Sequence, residues 1–372
     1  MFFISCHASA QNDTLKSHSP VSFNASYVGE TVINHRGGIQ KGSCYEGMAN
    51  FTALFETNKA HLWNGGKLFI NTAYTHGGNP SKDFIGDFQG ASNIEADNLT
   101  YFHEMWYSQL LGHTEVTIGL QDLNSEFASS EYATTFLNSS FGVHSTIADN
   151  IVAPIFPLTA FGVQIIHNFN EHLALKMITF DGFPDDFSKN NPYNLHWKFD
   201  SEDGLLNIAE LTWKPVISQL LEGKYSVGAY THHHITKEEY SDHNIWEITN
   251  YGFYMTGDQL LNKNSDGSYL SAFLQASISP YQRNENWYYI GVGINKKGVF
   301  SNDIKDLLGI AIASAGFDNY KGNETAIEVT YQYELMKQLS VQPDIQYIIN
   351  PSGTESILQN ALVTVLRFII EI

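Results

Sequence analysis

The chain has 372 residues, of which 16% are charged and 13% aromatic. Its 39 acidic residues outweigh 20 basic ones, for a net charge of -19. That balance excludes a nucleic-acid partner, because such binding rests on neutralising phosphates with cations. Two cysteines, Cys6 and Cys44, supply neither a disulfide framework nor a zinc pattern.

Residues 1–10 end in Ala8-Ser-Ala10, the small-x-small pattern that precedes a signal cleavage site. No basic segment precedes it and the apolar core is very short, so 1–10 read as a truncated signal-peptide remnant. Acylation at Cys6 is the alternative, and either reading means export. Residues 11–372 show no break in composition and are expected to form one domain. No apolar run of about 18 residues exists, so no transmembrane helix is indicated. A barrel remains open, since its strands give only short alternating segments. A mean hydropathy of -0.21 fits a barrel with a wet interior.

Taken in order, alternating segments recur near 22–34, 45–57 and 66–76, the last with Leu68, Ile70 and Thr72 on one face. Segments 101–111 and 115–122 form a hairpin around Gly112-His113. In the second of these, Val116, Ile118 and Leu120 alternate with Glu115, Thr117 and Gly119, the period of a strand with one apolar face. Alternation resumes at Phe161, Val163 and Ile165. Between them lies a long insert, 123–159. Structureless loops beyond about 12–15 residues are uncommon, and this one carries Phe127, Tyr132, Phe136, Phe141 and Phe156. Disordered segments are poor in such residues. The insert is therefore expected to fold against something, such as the inside of a barrel.

Further strands read near 161–169, 173–181, 205–214, 223–232, 246–256, 268–278, 287–295, 307–314, 325–334, 339–349 and 359–372. The late ones alternate most clearly. Ile327, Val329, Tyr331 and Tyr333 oppose Glu328, Thr330, Gln332 and Glu334; Val341, Ile345 and Tyr347 oppose Gln342, Asp344 and Gln346. Periodicity alone does not separate a sandwich from a barrel whose polar face lines a lumen. With a periplasmic N-terminus, the connections near 35–44, 77–99, 123–159 and 182–204 fall outside, and those near 112–113, 168–172 and 335–338 fall inside. The connections near 257–267 and 295–306 are longer than ideal periplasmic turns.

Six ordered blocks carry a resemblance: Gly86-Asp-Phe-Gln-Gly-Ala-Ser-Asn-Ile-Glu-Ala, Glu104-Met-Trp, Gly119-Leu-Gln-Asp-Leu-Asn-Ser-Glu-Phe, Asn138-Ser-Ser-Phe-Gly, Pro154-Ile-Phe-Pro-Leu-Thr-Ala-Phe-Gly-Val and Phe180-Asp-Gly. Together they resemble the carbohydrate-selective outer-membrane porins of the OprB family. The resemblance implies an all-β fold, a transmembrane antiparallel β-barrel of about sixteen strands. It also implies long extracellular loops folded into a sugar-conducting pore in the outer membrane of a Gram-negative bacterium. Residues 77–99 and 123–159 are the expected constriction loops. Two positions depart from the family pattern. Tyr101 stands where members often carry Arg, which removes or displaces a basic element of the lining. The chain ends in Ile372, where such barrels often end in Phe.

Glu95, Glu104, Asp122, Glu126 and Asp181 invite comparison with paired-carboxylate hydrolases, but such chemistry needs two carboxyls about 5–10 Å apart around a sugar, and sequence shows no such geometry. No nucleotide, nucleophile-elbow or calcium-loop motif is present. The chain is read as a non-enzyme without cofactor or metal. The expected pore-lining or constriction residues are Glu95, Glu104, Trp106, Asp122, Asn124, Glu126, Asn138 and Asp181; the carboxylates among them either line the pore or anchor the inward loops by hydrogen bonds. Glu328, Glu334, Asp344 and Glu371 are expected in the lumen and favour neutral or cationic permeants. His232-His233-His234 reads as an exposed loop rather than a metal site, since consecutive strand residues point to opposite faces. Small carbohydrates and outer-membrane lipid are the expected partners, and a homo-oligomer is left open. The competing reading is a secreted β-rich carbohydrate-binding protein without a channel.

Overall fold

The computed structural model describes residues 19–197, 203–218, 221–237, 245–301, 303–317, 322–351 and 358–372. The signal-remnant reading of residues 1–10, and Cys6 with it, falls outside the described residues. The strands are β1 (Val21–Gly38), β2 (Gly42–Glu56), β3 (Gly66–Gly77), β4 (Leu99–Leu111), β5 (Thr114–Gln121), β6 (Ala160–Asn168), β7 (Leu173–Asp181), β8 (Leu205–Trp213), β9 (Val216–Ser218), β10 (Leu221–Lys237), β11 (Ile245–Lys263), β12 (Tyr269–Ile278), β13 (Asn286–Lys297), β14 (Asp306–Phe317), β15 (Asn323–Met336), β16 (Leu339–Ile349) and β17 (Gln359–Glu371). Each pairs antiparallel with its neighbours in sequence, except that β8 pairs directly with β10 and the short β9 only extends the start of β10. β17 returns to pair with β1 from Ser26↔Glu371 to Gly38↔Gln359. The result is a closed barrel of sixteen strands, and closure leaves no unpaired edge.

The two faces of the wall differ as the alternation demands. Val292, Ile294, Ile310, Ile312, Val329, Ile345 and Leu366 point outward and are exposed. A continuous apolar exterior of this kind belongs in lipid, which disfavours a secreted binding protein. Inward-facing Glu328, Thr330, Gln342, Asp344, Gln346 and Arg367 are buried. At the closing seam Arg367 faces Glu30 in register and donates Nε to its carboxylate, while its Nη2 donates to Asn93 Oδ1 at 2.8 Å.

The long loops gather at one end, the extracellular end by the usual asymmetry. They are 78–98, 122–159 and 182–204, whereas the opposite end has 112–113, 169–172 and 337–338. The outer connection expected at 35–44 shrinks to 39–41, because β1 and β2 pair as far as Asn34↔Gly42. The turns expected at 257–267 and 295–306 shorten to 264–268 and 298–305 for the same reason: the ladders run on through polar residues. The three histidines lie in β10 rather than in a loop. His232 is buried and hydrogen-bonds the Gly182 carbonyl at 2.6 Å, and His233 bonds Thr249 Oγ1 across to β11. Burial in the ladder thus corrects the exposed-loop expectation, while the argument from opposite faces stands for this pair.

Ile312 lies midway along β14 and is 44% exposed on the outer face. Ile312→Arg is expected to destabilise the barrel by about 2–4 kcal/mol, read as a lowered urea midpoint for folding into lipid vesicles.

Candidate functional site

Two outer loops turn inward and occupy the barrel. The larger, 122–159, begins where β5 ends. Asp122 caps a 3-10 turn (Leu123–Ser125) through Oδ1, accepting from the Asn124 amide at 2.7 Å. Its Oδ2 meets His103 Nε2 at 3.0 Å, both side chains being fully buried. His103 reaches inward because β4 carries one extra residue against β3 between Glu104 and Phe102, a bulge that re-aims a side chain. The loop continues through a second 3-10 turn (Ala133–Thr135), α1 (Ser139–Gly142) capped by Asn138, and α2 (Ser145–Ala148).

The loop's apolar side chains cover the inner wall in sequence. Leu123, Phe127, Ala128, Val143, Ile147 and Ile151 pack on Ile178, Phe180, Leu206, Ile208, Tyr230 and Tyr254. Ala133, Phe136 and Phe141 pack on Phe273, Tyr289, Ala311 and Ala313. Leu137 joins Ile85 and Ala91 of loop 78–98 against Val32, Ile348, Val363 and Val365. Burying each large ring or aliphatic chain favours this arrangement by about 1.5–3 kcal/mol.

Its main chain is held by wall side chains. Glu210 accepts from the Ala128 amide at 3.0 Å, and Asp258 accepts from the Glu131 and Tyr132 amides and the Ser130 hydroxyl. Glu328 accepts from the amides of Leu137 and Asn138 at 2.6 and 3.0 Å. Glu324 does the same for Phe88 and Gln89 of the smaller loop, both at 2.8 Å. Carboxamides serve the carbonyls: Gln275 donates to Phe141, Asn295 to Tyr132, Gln342 to Thr135 and Gln346 to Ala91. Glu328 and Asp344, expected to line open lumen, are thus covered, since the insert lies over them.

The loops meet at Gly90 and Ser139. The Ser139 amide donates to the Gly90 carbonyl at 2.8 Å and its hydroxyl donates to the Ser92 carbonyl at 2.9 Å. Gly90 has φ +70°, and a Cβ there would stand 2.8 Å from Ser139 Oγ, so both backbone and space call for glycine. Between the loops opens a cleft of about 280 Å³, at the lower end of small-molecule pockets (~300–1,000 Å³). Ser81, Asp87, Phe88, Asn93, Glu95, Asn124, Ser140, Asp149 and Phe156 are among its walls.

Of the eight candidates, Glu95 and Asn124 line this cleft. Glu95 Oε2 accepts from the Ser81 amide at 3.1 Å, and Asn124 donates to the Gly142 carbonyl at 2.8 Å. Glu104 and Trp106 share an inner-wall patch, where Trp106 stacks on Phe69 at 5.0 Å and donates to Glu104 at 3.3 Å. Asp122 and Asn138 are buried helix caps. Glu126 is pinned at 3.2 Å by Lys176, which also faces Glu210 at 3.6 Å. Asp181 lies at the end of β7 and accepts a 3.4 Å bond from the Phe183 amide. The structure therefore divides the eight among cleft, inner wall and loop supports. Asp87 and Asp149 also line the cleft and escaped the sequence reading. Asp87 sits within a quoted block, but nothing in a sequence shows which carboxylates face one another across two loops.

The cleft acids are perturbed. Burial, and then the charge of Glu324, pushes Asp87 up to about 7 against the opposing pull of Ser81. Burial pushes Glu95 up to about 7, with the Ser81 hydrogen bonds opposing and Asp87 adding repulsion. Asp149 lies on the same cleft but is exposed to water.

The family described as "Carbohydrate-selective porin, OprB family" matches residues 40–371. Porin B of Pseudomonas aeruginosa is 22% identical over 400 residues, covering 92% of this chain and 85% of that protein. The high-pH structure of Pseudomonas putida OprB superposes with a TM-score of 0.84 at 20% identity, over 95% of this chain and 94% of that one. The low-pH structure gives 0.62 at 16% identity, over 95% and 93%. OmpT of Vibrio cholerae, in a loop-deletion form, gives 0.55 at 11%, over 94% and 98%.

Glu328→Ala would orphan the amides of Leu137 and Asn138. Each unsatisfied donor costs about 1–3 kcal/mol, so the insert is expected to loosen while the barrel ladder persists. Faster cleavage within 123–159 under limited proteolysis, with the barrel fragment intact, is the expected readout.

Proposed function

The chain belongs to the carbohydrate-selective porin family of the OprB type, and from that membership we propose that residues 77–99 and 123–159 set its constriction and that sugars pass through the cleft between them. The protein is an outer-membrane porin for the passive diffusion of small sugars, a channel rather than an enzyme. The observation that carries the constriction reading is the seating of both loops on the inner wall, with a polar cleft left where they meet. Serine hydroxyls, the carboxamides of Asn93 and Asn124 and the rings of Phe88 and Phe156 supply the two kinds of contact a pyranose offers, hydroxyl edges and an apolar face. Glu104 and Trp106 extend that surface down the wall.

The remaining candidates serve the constriction indirectly on this reading. Asp122, Glu126 and Asn138 hold the insert, and Asp181 turns the chain into the third outer loop. A homo-oligomer on this reading would be an assembly of complete pores, since each barrel closes on itself.

Deleting 127–153 removes the rings on the wall and leaves Glu210, Asp258 and Glu328 to be hydrated in the widened lumen. The expected outcome is a larger single-channel conductance and entry of larger saccharides in liposome swelling, with barrel assembly retained. Unchanged conductance in a folded variant would refute the constriction role.

The cleft acids also make ion preference depend on pH. Asp87 and Glu95, both raised to about 7, are protonated below that value and become carboxylates above it. Negative charge at the cleft therefore grows from pH 6 to pH 8.5. Reversal potentials in a KCl gradient are expected to shift toward cation preference over that range; a shift the other way would contradict the placement of these acids on the path.

A further inference from the structure

The cleft is charged in one sense only. Its lining includes Asp87, Glu95 and Asp149 and no Lys, Arg or His. The nearby cations are engaged or turned away. Arg367, behind Asn93, is held by Glu30 and by Asn93 Oδ1, and Lys82 is exposed and does not line the cleft. A cleft for neutral sugars needs hydrogen-bonding groups, which the serines and carboxamides already provide. It does not need three carboxyls without a counter-charge, least of all the buried Asp87, since burying an unpaired charge is costly.

A second observation points to a missing partner. Asp87 is only 8% exposed, and neither of its carboxylate oxygens makes a hydrogen bond of good geometry within the protein; the Ser81 hydroxyl and the Ala91 amide approach it without satisfying it. Nearly all buried polar side chains find a partner, so such a group calls for an explanation. Glu324 behind it cannot help, because its own oxygens accept from the amides of Phe88 and Gln89. A metal ion does not fit: among the described residues no three acidic, His or Cys side chains converge tightly enough to hold one. The carboxyls are spread around a space at the small end of ligand pockets. That arrangement suits an organic cation, with its charge at one point and hydroxyls elsewhere.

We propose that this pore favours sugars bearing an ammonium group, with Glu95 and Asp149 attracting the amine where the cleft opens to water and Asp87 receiving it deeper in. The inference rests on the cleft being the sugar path. An ammonium has three donors, which suit the open acceptors of Asp87 and the half-buried carboxylate of Glu95. The hydroxyls of the same sugar meet Ser140, Asn93 and Asn124. Fields focused in a low-dielectric channel raise the local concentration of the complementary ion.

The test is uptake by liposomes containing the purified full-length protein at pH 7, with glucose, glucosamine and N-acetylglucosamine supplied separately. Acetylation removes the charge and keeps the ring. Glucosamine is expected to enter at least about threefold faster than either neutral sugar. In the double variant Asp87→Asn, Glu95→Gln, its heat-modifiable gel mobility confirming the fold, the ratio of glucosamine to N-acetylglucosamine is expected to fall toward one. Equal wild-type rates overturn the inference, as does a ratio unchanged in the variant. Should the double variant not fold, the wild-type ratio together with that of Asp149→Asn decides. Entry of glucose without preference for the amine leaves the sugar-porin reading standing and removes only this inference. Exclusion of all three sugars by a protein that still conducts KCl removes both.

Discussion

A peptide segment inside a barrel cannot leave its amides and carbonyls unpaired, and that constraint organises this molecule. The insert has no ladder partner, since the strands around it already pair with one another. The wall answers with side chains. Glu210, Asp258, Glu324 and Glu328 accept from loop amides, while Gln275, Asn295, Gln342 and Gln346 donate to loop carbonyls. Bonds to a carboxylate are charge-assisted and among the stronger ones. They also fix register along the loop, which apolar packing alone would leave free to slide.

The acidic balance of the chain has two distinct uses in consequence. One set of carboxylates stands on the strands with main-chain amides as partners, and so contributes to loop position rather than to the field in the passage. The other set, Asp87, Glu95 and Asp149, stands on the loops themselves and faces the cleft. Net charge therefore says little about selectivity here. What matters is which acids the loop covers.

The same division explains the mixed character of the inner face. Most of the wall facing the lumen is polar, yet β14 and β17 present Ala311, Ala313, Val363, Val365 and Ile369 inward. These positions receive Phe136, Leu137 and loop 78–98, or pack beside Ile94. Gly309 opens the space into which the Phe136 ring fits, since a Cβ there would lie 2.8 Å from it. The barrel is thus a shell with a second, inner core laid along part of its circumference, and the passage takes what remains.

Alternation alone determined much of this. The period of two in β15 and β16 assigned outward and inward faces correctly, because lipid and lumen impose opposite demands on adjacent residues. The aromatic content of 123–159 marked it as folded, since Phe127, Phe136 and Phe141 could not remain in water at no cost. The six blocks identified the family. Local pattern does not carry long-range pairing, and that is where the sequence stopped. The bulge that turns His103 onto Asp122 changes no residue type. Glu328 and Asp344 read as lumen acids because nothing local shows that a loop nearly two hundred residues away covers them. Sequence left pore lining and loop support undivided at Asp122, and read Asn138 as a constriction residue, because a cap and a lining residue share the same chemistry. Only the closed structure decided which acids pair with main-chain amides and which are left facing one another across the cleft, because that depends on where two loops distant in sequence come to rest on a common wall.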